Sequence, residues 1–277
     1  MVFFLNFFVF LFGLVVGSFL NCVIYRLALP NFSLKNLGGL KNRSYCPYCK
    51  HLLSWQDLIP VFSFIFLKGR CRYCQKPISL QYPLVELATG ILFLLIFNFQ
   101  LPSVVEEINL FSAFNFLNLI YYWTIASFLI VIFVYDLKHY IIPDKIVYPA
   151  IGIVLVYNFL RSDLQWRSDL TISLAASFSA AAFFLAIVLI SRGKWMGVGD
   201  IKLAFFMGLV LSWPNILVAL FLAFFIGAVV GVGLIISNKK TLKSEIPFGP
   251  FLVTGTFLAL FWGNELISWY QALFLLK

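Results

Sequence analysis

Two of the eleven acids in this 277-residue chain stand where a carboxylate is costly. Asp136 closes a long apolar run in "FVYDLKHYIIPDK", and Asp200 opens another in "MGVGDIKL", behind Gly197 and Gly199. An ionisable group in or near a bilayer is a functional hypothesis by default. Taken singly, each acid could be an interfacial carboxylate paired with Lys138 or Lys202, or a first-turn acid favoured by the helix dipole. Taken together they offer sharper chemistry. Two carboxylates held close cannot both ionise cheaply, so they share one proton. The ionised member takes a proton from water while the protonated member polarises a scissile carbonyl, and the two apparent pKa values belong to the pair. The glycines would let the backbone leave helical geometry and approach a peptide closely. Asp144 follows Pro143 and reads as a first-turn acid.

The second cluster is "CPYCKHLLSWQDLIPVFSFIFLKGRCRYC", with Cys46, Cys49, Cys71 and Cys74 in two C-x2-C pairs. This is near the spacing of a four-cysteine zinc site, in which each pair bends into a knuckle that aims two thiolates at one metal. A site closed by four protein ligands is structural rather than catalytic, and it would fold a module too small to have its own core. His51 reads as a solvated loop residue, and Cys22 as a small apolar packing residue.

Composition says what must position these groups. The chain is 62% hydrophobic and 11% charged, with a mean hydropathy of +0.97. Soluble domains carry about 25% charged residues. The expected fold is therefore an all-α polytopic membrane protein. Apolar runs long enough to span occur at about 2–25, 83–99, 117–135, 145–160, 170–190, 197–213, 215–236 and 250–273, which predicts about eight transmembrane helices. The opening run has no basic n-region, and its first cation is Arg26. It reads as an uncleaved anchor with its N-terminus outside.

With that start, seventeen of the twenty Lys and Arg residues fall on the cytoplasmic side, leaving Arg161, Arg167 and Lys277 outside. Both termini are then extracytoplasmic, and Asp136 and Asp200 share the cytoplasmic face. Glu106, Glu107, Asp163 and Asp169 fall in outer loops. The net charge of +9 thus marks membrane topology and calls for no nucleic acid. The expected domains are a first helix at 1–26, a cytoplasmic tetracysteine module at 27–82 inserted between helices one and two, and a seven-helix membrane domain at 83–277 bearing the acid pair.

In order along the chain, "GSFLNCVIYRL" (17–27), the two C-x2-C pairs, "GRCRYCQKPISLQYPLVELATG" (69–90), "YDLKHYIIPD" (135–144), "GVGDIKL" (197–203) and "IPFGPFL" (246–252) resemble the motifs of the bacterial type 4 prepilin peptidases. The resemblance implies a bifunctional enzyme of the bacterial inner (plasma) membrane. Such an enzyme cuts the leader from type IV prepilins or pseudopilins on the cytoplasmic side and then methylates the new N-terminus with S-adenosylmethionine. Pilus assembly, secretion and competence systems all use this enzyme class.

By the resemblance, Asp136 and Asp200 match the catalytic aspartates, and the four cysteines match the family's tetracysteine positions. Lys202 matches a lysine that orients Asp200 or the substrate. Cys22 and Tyr135 depart from residues usual in the family. No G-x-G-x-x-G unit supports a Rossmann-type cofactor site. The methyl transfer falls to the N-terminal module, with Glu86 as a polar contact. A different class, an ion-coupled transporter using Asp136 and Asp200, prefers acids near the bilayer midplane and often inverted repeats.

Overall fold

The computed structural model describes residues 2–29, 44–100, 113–161, 167–238, 241 and 244–275. Glu106, Glu107, Asp163 and Lys277 lie outside the described residues, as does the 30–43 part of the cysteine insertion. Among the described residues there is no strand, and eight long helices account for most of the chain. They are α1 (Val2–Leu27), α2 (Gln81–Gln100), α3 (Ala113–His139), α4 (Asp144–Arg161), α5 (Arg167–Ser191), α6 (Val198–Leu211), α7 (Asn215–Ile236) and α8 (Gly249–Leu275). Each coincides with one of the eight apolar runs, and the cysteine insertion falls between α1 and α2, as expected.

Six of the eight are long and apolar enough to cross a membrane: α1, α2, α3, α5, α7 and α8. The expected count of about eight spans is not reached, because α4 and α6 fall short, each for a physical reason. Helix α4 carries Asp144, Lys145 and Arg161 within its 18 residues, and Pro149 inside it. Helix α6 has only 14 residues, about 21 Å of helix against a hydrocarbon core of about 30 Å.

The chain divides into two compact units, Met1–Val131 and Ile132–Lys277. In the first, α1 packs along α2. Gly13 and Gly17, one turn apart on α1, make this possible. A Cβ on Gly13 would stand 2.7 Å from the Gly90 Cα, and one on Gly17 would stand 2.7 Å from the Glu86 Cα. Small residues at such a seam let helix backbones approach in lipid, where van der Waals packing replaces the hydrophobic drive. Trp123 of α3 stacks on Phe93 of α2 at 5.0 Å and donates its indole N–H to the Phe93 carbonyl at 3.1 Å.

In the second unit α6 is the shared neighbour, packed against α4, α5, α7 and α8. Leu203, Ala204, Phe206, Met207, Gly208, Leu209 and Leu211 are all buried. A helix apolar on every side is one enclosed by protein or lipid, and here protein encloses it. Gly208 lies so close to the Ser177 backbone of α5 that a side chain could not fit. On α8, Gly255 meets the Ala219 carbonyl of α7 in the same way. Phe248, just before α8, packs on Phe224 of α7 at 5.0 Å and on Phe184 of α5 at 6.2 Å. Those rings fix where α8 begins.

Candidate active site

Asp136 sits in the last turn of α3, three residues before its end at His139, and is 4% exposed. The helix stops there because Tyr140 takes a left-handed conformation (φ 57°) while its N–H donates to the Asp136 carbonyl at 2.8 Å. Asp200 sits in the first turn of α6 and is 8% exposed. Its Oδ2 accepts the Gly197 N–H at 3.1 Å, one of the donors a helix start leaves without a partner in the helix. The dipole-favoured acid at a helix start is therefore realised at Asp200. The Asp136 carboxylate also acts electrostatically on Asp200. Two acids 64 positions apart in sequence are thus both buried and within electrostatic reach of each other, and burial weakens screening.

Asp136 also takes a hydrogen bond that sequence reading did not assign. The backbone N–H of Gly249, the first residue of α8, donates to it. A Cβ at Gly249 would stand 2.5 Å from the Asp136 Oδ2, so only glycine allows this approach. Each carboxylate is thus held by the amide of one glycine, Gly197 for Asp200 and Gly249 for Asp136. The glycine between two prolines in "IPFGPF" was the available signal, but it reads equally as a turn.

The remaining residues expected around the pair are placed differently. Gly199 does not face open space, since a Cβ there would meet the Ile142 Cβ at 3.0 Å. Its lack of a side chain lets α6 pack on the α3–α4 connection. Gly197 is extended (φ −84°, ψ 158°), and a Cβ there would make only an ordinary contact at 3.8 Å. Lys202 donates to Asp144 at 2.7 Å and lies over the Tyr148 ring at 5.2 Å. These contacts tie α6 to the start of α4 and are directed at Asp144 rather than at Asp200. The Asp144 side chain is 56% exposed, so Asp144→Asn is expected to cost no more than about 1 kcal/mol of stability. Thermal unfolding in detergent would measure it.

The four cysteine Sγ atoms all lie within 4.8 Å of one another, and Cys46 and Cys74 are 3.9 Å apart. Four sulfurs bound about 2.3 Å from one tetrahedral zinc would sit close to these separations. The two halves repeat one backbone turn. The Cys46 N–H donates to the His51 carbonyl and the Lys50 N–H to the Cys46 carbonyl. In the second half, the Cys71 N–H donates to the Lys76 carbonyl and the Gln75 N–H to the Cys71 carbonyl. Lys50 (φ 59°) and Gln75 (φ 58°) both take the left-handed turn that usually selects glycine.

The thiols do not ionise equally. Burial opposes the Cys46 thiolate, but the backbone at Cys49 and Tyr48 and the neighbouring thiols bring it to about 7. The Lys76 backbone favours the Cys74 thiolate, yet burial and the other three thiols outweigh it and push it up to about 11. A dication is the natural remedy for such mutual repulsion. His51 is exposed and stacks on Tyr73 at 3.7 Å.

Asp57 braces the module. It accepts from the Ser54 backbone and hydroxyl at 3.1 and 2.8 Å and pairs with Arg72 at 2.7 Å. Burial resists its charge, but Ser54 and Arg72 hold it below the ordinary carboxylate range. Glu86 in α2 is 6% exposed and accepts the Val61 N–H at 2.7 Å and a hydrogen bond from Ser18.

Residues 11–99 match the bacterial peptidase A24 N-terminal domain, and residues 123–232 match the type IV leader peptidase family. A prepilin leader peptidase/N-methyltransferase of Aeromonas hydrophila is 31% identical over 96% of this chain and 94% of its own length. The chain belongs to the type IV leader peptidase family. In this leader peptidase family member, the cysteine cluster and Glu86 fall in the first matched region, and Asp136 and Asp200 in the second. Proteins with the same description from Bacillus subtilis (strain 168), 31% identical over 94% of the chain and 96% of theirs, and Legionella pneumophila, 30% identical over 94% and 92%, are also similar. No solved structure matches the chain.

Proposed function

We propose that this protein is a membrane aspartic endopeptidase that removes the leader of type IV prepilins or prepilin-like proteins on the cytoplasmic side. It then methylates the new N-terminal amine with S-adenosylmethionine. The observation that carries the peptidase half is the pair of buried carboxylates, one acting electrostatically on the other and each bonded to a glycine amide. Its relatives are described as prepilin leader peptidase/N-methyltransferases. The transporter alternative has less support, because both acids lie at helix ends, in the last turn of α3 and the first of α6.

In this reading Asp136 and Asp200 hold one proton between them. The ionised carboxylate takes a proton from a water as that water's oxygen attacks the scissile carbonyl carbon. The protonated carboxylate gives its proton to the carbonyl oxygen. When the intermediate collapses, one of its hydroxyls gives a proton to the pair, the C–N bond breaks and the leaving amine takes a proton from the pair, which ends with the single proton it began with. Burial keeps the pair's field strong where charge develops. The two glycine amides hold the carboxylates in place, Lys202 and Asp144 steady the start of α6, and Gly199 seats it on Ile142.

The Cys46, Cys49, Cys71 and Cys74 site holds structural zinc, since four thiolates leave the metal no open position. Metal analysis of the purified protein is expected to give about one zinc per chain. Cys71→Ser should release it and unfold the knuckles, because binding energy is folding energy in so small a module. The methyl donor is a sulfonium, and Glu86 is a buried carboxylate suited to oppose that charge. The division into 1–26, 27–82 and 83–277 and the cytoplasmic orientation of the pair belong to the same proposal.

The deciding experiment is incubation of the reconstituted protein with a prepilin, with and without S-adenosylmethionine, read by mass spectrometry. Cleavage in both arms and an added methyl group only with the donor are expected. An intact prepilin in both arms would refute the peptidase reading.

A further inference from the structure

Between the two knuckles the chain forms a short 3-10 turn, Trp55–Leu58, and a five-residue helix, Phe62–Phe66. Neither contains a buried residue. Trp55 is 73% exposed, Ile65 63% and Phe66 81%, with Phe62 also open. This is unexpected for a loop in water. A helix this short is unstable alone, and an apolar patch left open on a folded module marks a contact surface.

The segment that bears this patch is also tied to a helix apolar enough to cross a membrane. The Val61 N–H, just before the short helix, donates to Glu86 at 2.7 Å. Glu86 is the sixth residue of α2, inside the stretch Gln81–Phe99 that is apolar enough to cross a membrane. The segment that bears the patch is therefore held beside the first turns of that stretch. Leu80 and Leu84, at the start of α2, are 65% and 62% exposed as well. Lys68 and Arg70 follow the short helix directly and are exposed. Cations beside an apolar patch suit anionic headgroups.

We propose that the segment Trp55–Phe66 is inserted in the lipid interface, so that the metal module rests on the bilayer through this turn instead of standing free in water. The lipid fits as occupant because exposed cations flank the patch, and a hydrogen bond from the Val61 backbone to Glu86 ties its segment to a helix apolar enough to cross a membrane. The proposal does not depend on the peptidase activity.

The test uses the full chain in vesicles of phosphatidylethanolamine and phosphatidylglycerol. The photoreactive residue p-benzoylphenylalanine replaces Phe66, Phe8 or Tyr48, one at a time, and adducts are read by mass spectrometry. Phe8, 63% exposed on α1, is the control for lipid contact, and Tyr48, 58% exposed on the first knuckle, is the control for water. All three positions are exposed, so the substitutions leave packing undisturbed. Phospholipid adducts at 66 comparable to those at 8, and few at 48, are expected. If position 66 behaves like 48 while 8 is labelled, the insertion is refuted. Adducts at 66 only to an added prepilin, and not to lipid, would also overturn it and assign the surface to substrate.

Discussion

Replacing Asp136 or Asp200 by Asn is expected to lower leader cleavage by about 10⁴-fold or more, with insertion and folding retained. Asn keeps the shape of the side chain and can still accept the glycine amide, Gly249 for position 136 and Gly197 for position 200. What it removes is the ability to hold or release a proton. The two single variants and the double variant should therefore be nearly equally inactive, since the acids act as one unit. Cleavage of a prepilin by each purified variant, read by mass spectrometry, checks this. Normal processing by either single variant would remove the pair from the mechanism. Thermal unfolding close to the parent's is expected for both, because substitution relieves a buried charge rather than opening a cavity.

Gly249→Ala is expected to lower cleavage by about 10²–10³-fold, the loss seen when one well-placed donor is withdrawn from an active site. The new methyl would stand 2.5 Å from the Asp136 Oδ2, so either the carboxylate or the start of α8 must move. The backbone there has little freedom, because Phe248 is packed between Phe224 and Phe184 and Pro250 follows. The carboxylate therefore moves, and its hydrogen bond to the amide is lost. Gly231→Ala is the matched control. A Cβ at Gly231, inside α7, meets nothing within 4 Å, so activity should be unchanged. Equal activity of the two variants would show that the Gly249 amide does not position Asp136.

Much of this was legible in the sequence, and the exceptions are instructive. The run at 215–236 is helix α7 to the residue, and the run at 83–99 grew only to Gln81–Gln100, because hydropathy over about 20 residues is a strong signal. The run at 197–213 was equally apolar but marks a helix sheathed by protein. Apolar composition reports exclusion from water and does not distinguish lipid from neighbouring helices. The electrostatic link between Asp136 and Asp200 could be approached from topology, since the cation count expects both at run ends on one face.

The Gly249 amide could not be approached that way. A backbone donor carries no side-chain signature, and its partner lies 113 positions away. The partner of Lys202 was missed for a similar reason. The sequence neighbour Asp200 drew attention, while the tertiary contact is to Asp144. In the knuckles, the C-x2-C spacing announced the clustering of the four cysteines, whereas the left-handed Lys50 and Gln75 have no local marker because they stand where glycine is usual.

The enclosure of α6 has a consequence for how the enzyme meets different membranes. A helix in contact with lipid must match the bilayer or tilt, kink or deform it. Helix α6 packs against α4, α5, α7 and α8 and need not span the hydrocarbon. Asp200 is carried on an element with no thickness to match, and the surrounding helices absorb any mismatch. The relation between Asp200 and its neighbours is thereby insulated from lipid chain length, as a bearing is insulated from the flexing of its housing.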